Sequence, residues 1–178
     1  MNITHQNKVA TVLVMAVAML LLQCKEKKNS DIIITQKVEK PQPKGPVTMQ
    51  DYRQNTQVQW QGADYVCDIH RTACDSMQMV TNEDGQSFID NRITLTVTRA
   101  NGSVFFQKTF VKDDFKSLLD NNFHANGILE GLVFDRVDGQ RLRFAASVSL
   151  PQTDEYLPIV VFVNRQGGIS MEVATEED

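Results

Sequence analysis

The 178-residue chain has only 3 cysteines, 5 prolines and a single tryptophan. Three cysteines are too few for a small scaffold that replaces a hydrophobic core with disulfides. Basic charge is not in excess either. Against 18 Lys+Arg stand 22 Asp+Glu, a formal net charge of −4. A general nucleic-acid binder needs a basic field that releases counterions, so nucleic acid is excluded as a partner class. What is present is ordinary for a globular chain: 42% hydrophobic and 22% charged residues, too apolar for disorder throughout. The length allows one domain with an appendage. No internal repeat is found, and low complexity is confined to a Lys- and Pro-rich segment after the first apolar run.

That apolar run carries the clearest signal. Residues 9–22 (VATVLVMAVAMLLL) are an uncharged run, apolar but for Thr11, and follow a start whose only charged side chain is Lys8. A helix needs about 20 apolar residues to cross a hydrocarbon core, so the run is short for a permanent span. A basic start before such a run reads as a secretory signal. It ends at Leu21-Leu22-Gln23-Cys24, with Lys25-Glu26-Lys27-Lys28 directly after it. This resembles a bacterial lipoprotein signal, in which the cysteine after the cut receives lipid. Leu21 matches the apolar position three before the cysteine, while Leu22 and Gln23 depart from the small residues usual at the next two. The resemblance implies removal of residues 1–23, acylation of Cys24 by palmitate-like chains, and an outer-membrane lipoprotein of a bacterial cell envelope facing periplasm or surface. Two or more acyl chains anchor a protein stably where one does not. The alternative is a free thiol behind an uncleaved anchor.

Residues 24–47 hold six lysines, three acids and Pro41, Pro43 and Pro46, a composition that favours extended, poorly packed chain. They read as a tether, apart from residues 31–35 (DIIIT), which suit a sticky patch or a short strand. Residues 172–178 (EVATEED) read as an acidic, solvated tail. Residues 48–171 are left as one domain, and the pattern there is β almost throughout. In Asn91–Arg99, Ile93, Leu95 and Val97 alternate with Thr94, Thr96 and Thr98, the period of a half-buried strand. Asn101-Gly102 then supplies a hairpin turn, pairing Val97 with Phe106, Ile93 with Phe110 and Thr94 with Thr109. Asp113 or Asp114 caps a short helix through Phe115, Leu118 and Leu119, stopped by Asn121-Asn122 and Asn126-Gly127. Residues 128–137 and 141–150 form a second hairpin around Asp138-Gly139-Gln140. A three-residue loop with Gly139 left-handed sets Phe134 opposite Phe144 and Asp135 opposite Arg143, the arrangement that pairs opposite charges. Tyr156–Asn164 is apolar on both faces and belongs inside a sheet, with Ile169–Val173 following it. Residues 57–60 and 64–70 add two short strands. The expected fold is all-β, an antiparallel β-sandwich or partly closed barrel of about seven strands with one short helix.

Few residues suggest chemistry. Cys67, His70 and Cys74 (C-x2-H-x3-C) bring soft metal ligands together, but a structural zinc site wants four ligands. Cys67 and His70, an odd number apart, point to opposite faces of a strand. The open readings are a Cys67–Cys74 disulfide or two buried thiols. Asn82-Glu83-Asp84-Gly85-Gln86 has oxygen ligands around a glycine yet lacks the spacing of a calcium loop and reads as a polar turn. His124 reads as a surface or capping histidine. No nucleophile sits in a recognisable catalytic context, and no cofactor or metal site is expected. The ligand candidates are Trp60, Tyr156 and the loop Pro151-Gln152-Thr153-Asp154-Glu155, because an aromatic beside carboxylates such as Asp154 and Glu155 can stack on a sugar or grip a peptide. The competing reading places Trp60 in the core and Asp154-Glu155 in a solvated turn.

Met49-Gln50-Asp51-Tyr52, Asp90-Asn91-Arg92, Gly102-Ser103-Val104-Phe105-Phe106, residues 127–134 (GILEGLVF) and residues 150–156 (LPQTDEY) together resemble a family of Bacteroides-type envelope lipoprotein domains. No activity is assigned to that family, so the resemblance implies envelope location and a β domain only. The expected function is a lipid-anchored binding or scaffolding module without catalysis, reaching the membrane through its lipid and a protein or glycan through its domain. Two alternatives are an envelope hydrolase using Asp154, Glu155 or Glu130, and a sugar-binding accessory lipoprotein using Trp60 or Tyr156.

Overall fold

The computed structural model describes residues 45–175. The expected signal, Cys24, residues 31–35 and most of the tether lie outside the described residues. The elements, in chain order, are β1 (Tyr52–Trp60), β2 (Ala63–Ala73), β3 (Val80–Thr81), β4 (Ser87–Phe88), β5 (Asn91–Arg99) and β6 (Val104–Phe110). After α1 (Asn121–Asn126) come β7 (Ile128–Asp138), β8 (Arg141–Ser149), β9 (Tyr156–Asn164) and β10 (Ile169–Val173).

Alternation in the sequence becomes two antiparallel four-stranded sheets, ordered β1-β2-β5-β6 and β10-β9-β8-β7, with β3 and β4 as a separate small hairpin. The fold is an all-β sandwich, without a closed barrel. Ile69, Ile93, Leu95, Val97 and Phe110 of one inner face pack with Leu142, Phe144, Val148, Val161 and Val163 of the other in one core. Each such fully buried side chain contributes about 1.5–3 kcal/mol. β9 lies between β8 and β10, as its two apolar faces require, and residues 159–163 are all buried. Val80, Phe88 and Ile128 form a second, small cluster with Met49 beside them.

The first hairpin has the expected register, Ile93 opposite Phe110, Thr94 opposite Thr109 and Val97 opposite Phe106. Beyond Val97 the register shifts, Thr98 pairing with Val104. The extra residue, Phe105, turns its ring toward Trp60 and Tyr65, with centroids 5.4 and 5.7 Å away. A bulge re-aims a side chain in this way.

The second hairpin corrects the expected loop. Its turn is two residues long, since Asp138 pairs with Arg141, and Gly139 takes a left-handed φ of 56°. A shift at Asp135 then restores Phe134 to Phe144. Asp135 is not opposite Arg143, yet its carboxylate still accepts from that guanidinium at 2.8 Å.

The helix is also displaced from its expected place. Lys112–Phe115 is a single 3-10 turn, and α1 begins where the sequence predicts a stop. Asp114 accepts from the Val111 N–H at 2.9 Å and from Lys108 Nζ at 2.8 Å, whereas Asp120 caps α1 by accepting from the Phe123 N–H at 2.8 Å. Leu118 and Leu119 pack against the core without continuing a helix. β1 and β2 are longer than expected because backbone pairing with β2 recruits the polar residues 52–56. The domain edges move slightly: Val47 pairs with Phe88, and Glu172 and Val173 belong to β10.

Val97 is fully buried, while Thr96 faces the other way and accepts from Gln107 Nε2 at 3.2 Å. Val97→Asp is expected to cost more than about 3 kcal/mol by burying an unpaired carboxylate, and Thr96→Asp less than about 1 kcal/mol. Denaturant midpoints check this. Thr96→Asp as the worse variant would reverse the assignment of faces.

Candidate functional site

Two polar turns and the short helix meet at one end of the sandwich. In the β3–β4 turn, Asn82 Oδ1 accepts from the Gln86 N–H at 2.9 Å, and Gly85 adopts φ 79°. In the β8–β9 loop, the Thr153 hydroxyl donates to the Leu150 carbonyl at 3.0 Å and accepts from the Glu155 N–H at 3.1 Å. Gln152 holds a left-handed φ of 64°, unusual for a residue with a side chain. The Asn82 amide donates to Gln152 Oε1 at 2.7 Å and ties the two turns together.

The third wall is α1. Its Asn122 and Asn126 side chains bond one another at 2.8 Å. Gly127 closes the helix where no side chain fits, since a Cβ there would sit 2.5 Å from the Phe123 carbonyl oxygen and 2.7 Å from a Val148 methyl. These segments enclose a cleft of about 490 Å³ lined by Asn82, Asp84, Asn122, Asn126, Gln152 and Glu155, among others. Amides present donors and acceptors together, carboxylates present acceptors, and Thr81 and Thr153 add hydroxyls. Such a wall suits a ligand rich in hydroxyl or amide groups.

On the other side of α1 lies a second cleft of about 500 Å³, reached by Asp90, Lys112, Asp113, His124, Met77 and Met79. Its floor is a buried polar junction. Asp90 Oδ1 accepts from the N–H groups of Asn91 at 2.7 Å and Leu129 at 2.8 Å. Asn91 Nδ2 donates to the Leu129 carbonyl at 2.9 Å, and Lys112 Nζ donates to the Gly127 carbonyl at 2.7 Å. Lys112 Nζ lies 3.9 Å from the second Asp90 oxygen. Burial pushes the Asp90 carboxyl above the usual carboxylate range, against the opposing hydrogen bonds and the Lys112 charge. Burial likewise holds the Lys112 ammonium below the usual lysine value.

The expected site residues are scattered. Glu155 lines the first cleft, and Asp154 is exposed in the same loop. Tyr156 is 60% exposed at the start of β9 and does not line that cleft. Trp60 is corrected from ligand contact to core: it is 2% exposed and edge-on to Tyr65 at 5.2 Å. Glu130 accepts from the hydroxyls of Ser147 and Ser149 and does not join Glu155, so no paired acid and base results.

Cys67 and Cys74 are two buried free thiols, which corrects the disulfide. Six residues of continuous strand lie between them and hold them about 20 Å apart, far beyond the reach of a disulfide. Burial pushes the Cys67 thiol up to about 12. Gln152 lies in the expected ligand loop and does line the first cleft, whereas Asn122, Asn126 and the Asp90–Lys112 pair escape sequence reading. The two polar turns are visible as turns, but nothing local shows that they face each other.

A family model described as "Domain of unknown function (DUF4738)" matches residues 32–171. The chain belongs to this family. Its match starts within the expected tether and ends at Met171 in β10. A search of curated proteins finds no match.

Asp90→Ala leaves the Leu129 N–H and the Lys112 ammonium without their carboxylate, at an expected cost of about 3–5 kcal/mol. Adding Lys112→Met should recover part of that loss. Because folding raises the Asp90 pKa, the stability it carries is full below the unfolded-chain value and declines as pH rises through the folded value. Wild type should therefore gain on Asp90→Asn as pH falls from neutral, measured by denaturant titration at several pH values. A gap that widens toward alkaline pH would contradict the assignment.

Proposed function

We propose that this chain is a lipid-anchored binding module of a bacterial envelope, holding a hydroxyl-rich ligand such as an envelope glycan without transforming it. The observation that carries the reading is the first cleft, where the Asn82–Gln152 bond fixes two polar loops opposite the Asn122–Asn126 face of α1. Sugar hydroxyls each donate and accept, and amide and carboxylate side chains on pre-formed loops match that chemistry at low ordering cost. The anchor rests on the apolar run that stops at Cys24, followed by a lysine-rich segment. Among the described residues no helix is long and apolar enough to cross a membrane. Catalysis is disfavoured by the separation of Glu130 from the cleft that Glu155 lines.

Titration of envelope glycan fragments into the protein, followed by amide chemical shifts, tests the cleft. Asn82→Ala, Gln152→Ala and Glu155→Gln should each weaken binding by about 3- to 30-fold, the loss of one hydrogen bond or so. Glycan binding that ignores all three variants, or no binding at all, would sink the reading.

The anchor has its own check. Cys24→Ser should release the protein from the detergent phase or block its maturation. If it fractionates and migrates like wild type, the protein is not lipidated at Cys24.

A further inference from the structure

The second cleft carries side chains that the glycan reading leaves unused. Met77 and Met79 stand two residues apart in the segment that runs from the Cys74 turn into β3, where the Met77 N–H bonds the Cys74 carbonyl at 3.0 Å. Both reach one cavity with His124 of α1. Met79 is 49% exposed, so half of a large apolar side chain faces water at the cleft rim. His124 Nε2 lies 3.6 Å from an Asp113 oxygen, just beyond hydrogen-bond range and near enough to close on it, with Nδ1 on the other side of the ring. A carboxylate behind an imidazole is the arrangement that orients histidine as a metal ligand.

We propose that Met77, Met79 and His124 bind a soft monovalent cation, Cu(I), in this cleft. Thioethers are neutral and polarizable, and they select Cu(I) over hard dications. Among the described residues no three His, Cys, Asp or Glu side chains converge as a hard-ion site would require. The neighbouring charges do not oppose a cation. Lys112 is committed to the Gly127 carbonyl and lies against Asp90, and Asp113 adds a further carboxylate at the same cleft. Two sulfurs and one imidazole nitrogen complete a three-coordinate site, which suits a d¹⁰ ion. No change of oxidation state is involved in binding.

The test is an anaerobic Cu(I) titration of the purified full chain carrying Cys24→Ser, in competition with a chromophoric Cu(I) chelator. Ag(I), a redox-inert stand-in, is added to protein labelled at its methionine methyl groups. One equivalent should bind, and Ag(I) should shift the Met77 and Met79 methyls but not those of Met49 and Met171. Met77→Leu with Met79→Leu, nearly equal in volume, should abolish competition with the chelator while the thermal melt stays put. His124→Asn, at an exposed position, should weaken binding, and Asp113→Asn should do so by about 10-fold. Binding that survives the double leucine variant overturns the proposal. So does binding lost in Cys74→Ser but retained in the methionine variants, or Zn(II) held more tightly than Cu(I).

Discussion

The sandwich depends on a buried polar splice between its two sheets. Asp90 and Asn91, at the entry to β5, take up both backbone groups of Leu129, at the entry to β7. The two side chains thereby act as a short strand partner, satisfying an N–H and a C=O that burial would otherwise leave at a cost of about 1–3 kcal/mol each. Lys112 extends the splice to Gly127, so three residues from one sheet and its following loop grip the backbone at Gly127 and Leu129, leading into the other. Hydrophobic burial drives the sheets together without specifying direction. The splice supplies the direction, because hydrogen bonds are satisfied only at one offset of β7 against β5.

Everything at the functional end hangs from that junction. Gly127 is held by Lys112 from one side and closes α1 from the other, where a Cβ has no room. The helix is only Asn121–Asn126, far too short to persist by itself. Its cap at Asp120 and its anchor at Gly127 therefore set where Asn122, Asn126 and His124 point. Those residues face two different clefts, one lined by amides and carboxylates and the other by thioethers, an imidazole and the buried pair. A single short helix thus separates the two clefts at one edge of the molecule.

Membership of the domain family described as being of unknown function gives the chain relatives without lending it an activity. The loops bear the candidate site and the sheets hold them still. Envelope placement rests on the residues before the described domain, whereas the two clefts rest on the domain itself, so the two parts of the reading are separately testable.

The sequence by itself determined the strands and much of their pairing. Ile93, Leu95 and Val97 alternate, Asn101-Gly102 turns, and the register follows, because strand period and turn chemistry are local properties. It also determined that Gly139 takes a left-handed φ and that β9 is interior. The helix was misplaced because Asp113, Asp114 and Asp120 are all competent caps, and only packing of Phe115, Leu118 and Leu119 chooses among them. Bulges at Phe105 and Asp135 were equally hidden, since an extra residue is paid for by contacts across the sandwich. Trp60 could be core or ligand on composition alone, and burial between Tyr65 and Phe105 decided it. Above all, tertiary structure decided the site. Asn82 bonds Gln152 across 70 residues, and Met77, Met79 and His124 line one cleft, and no periodicity or spacing within a segment encodes such a juxtaposition.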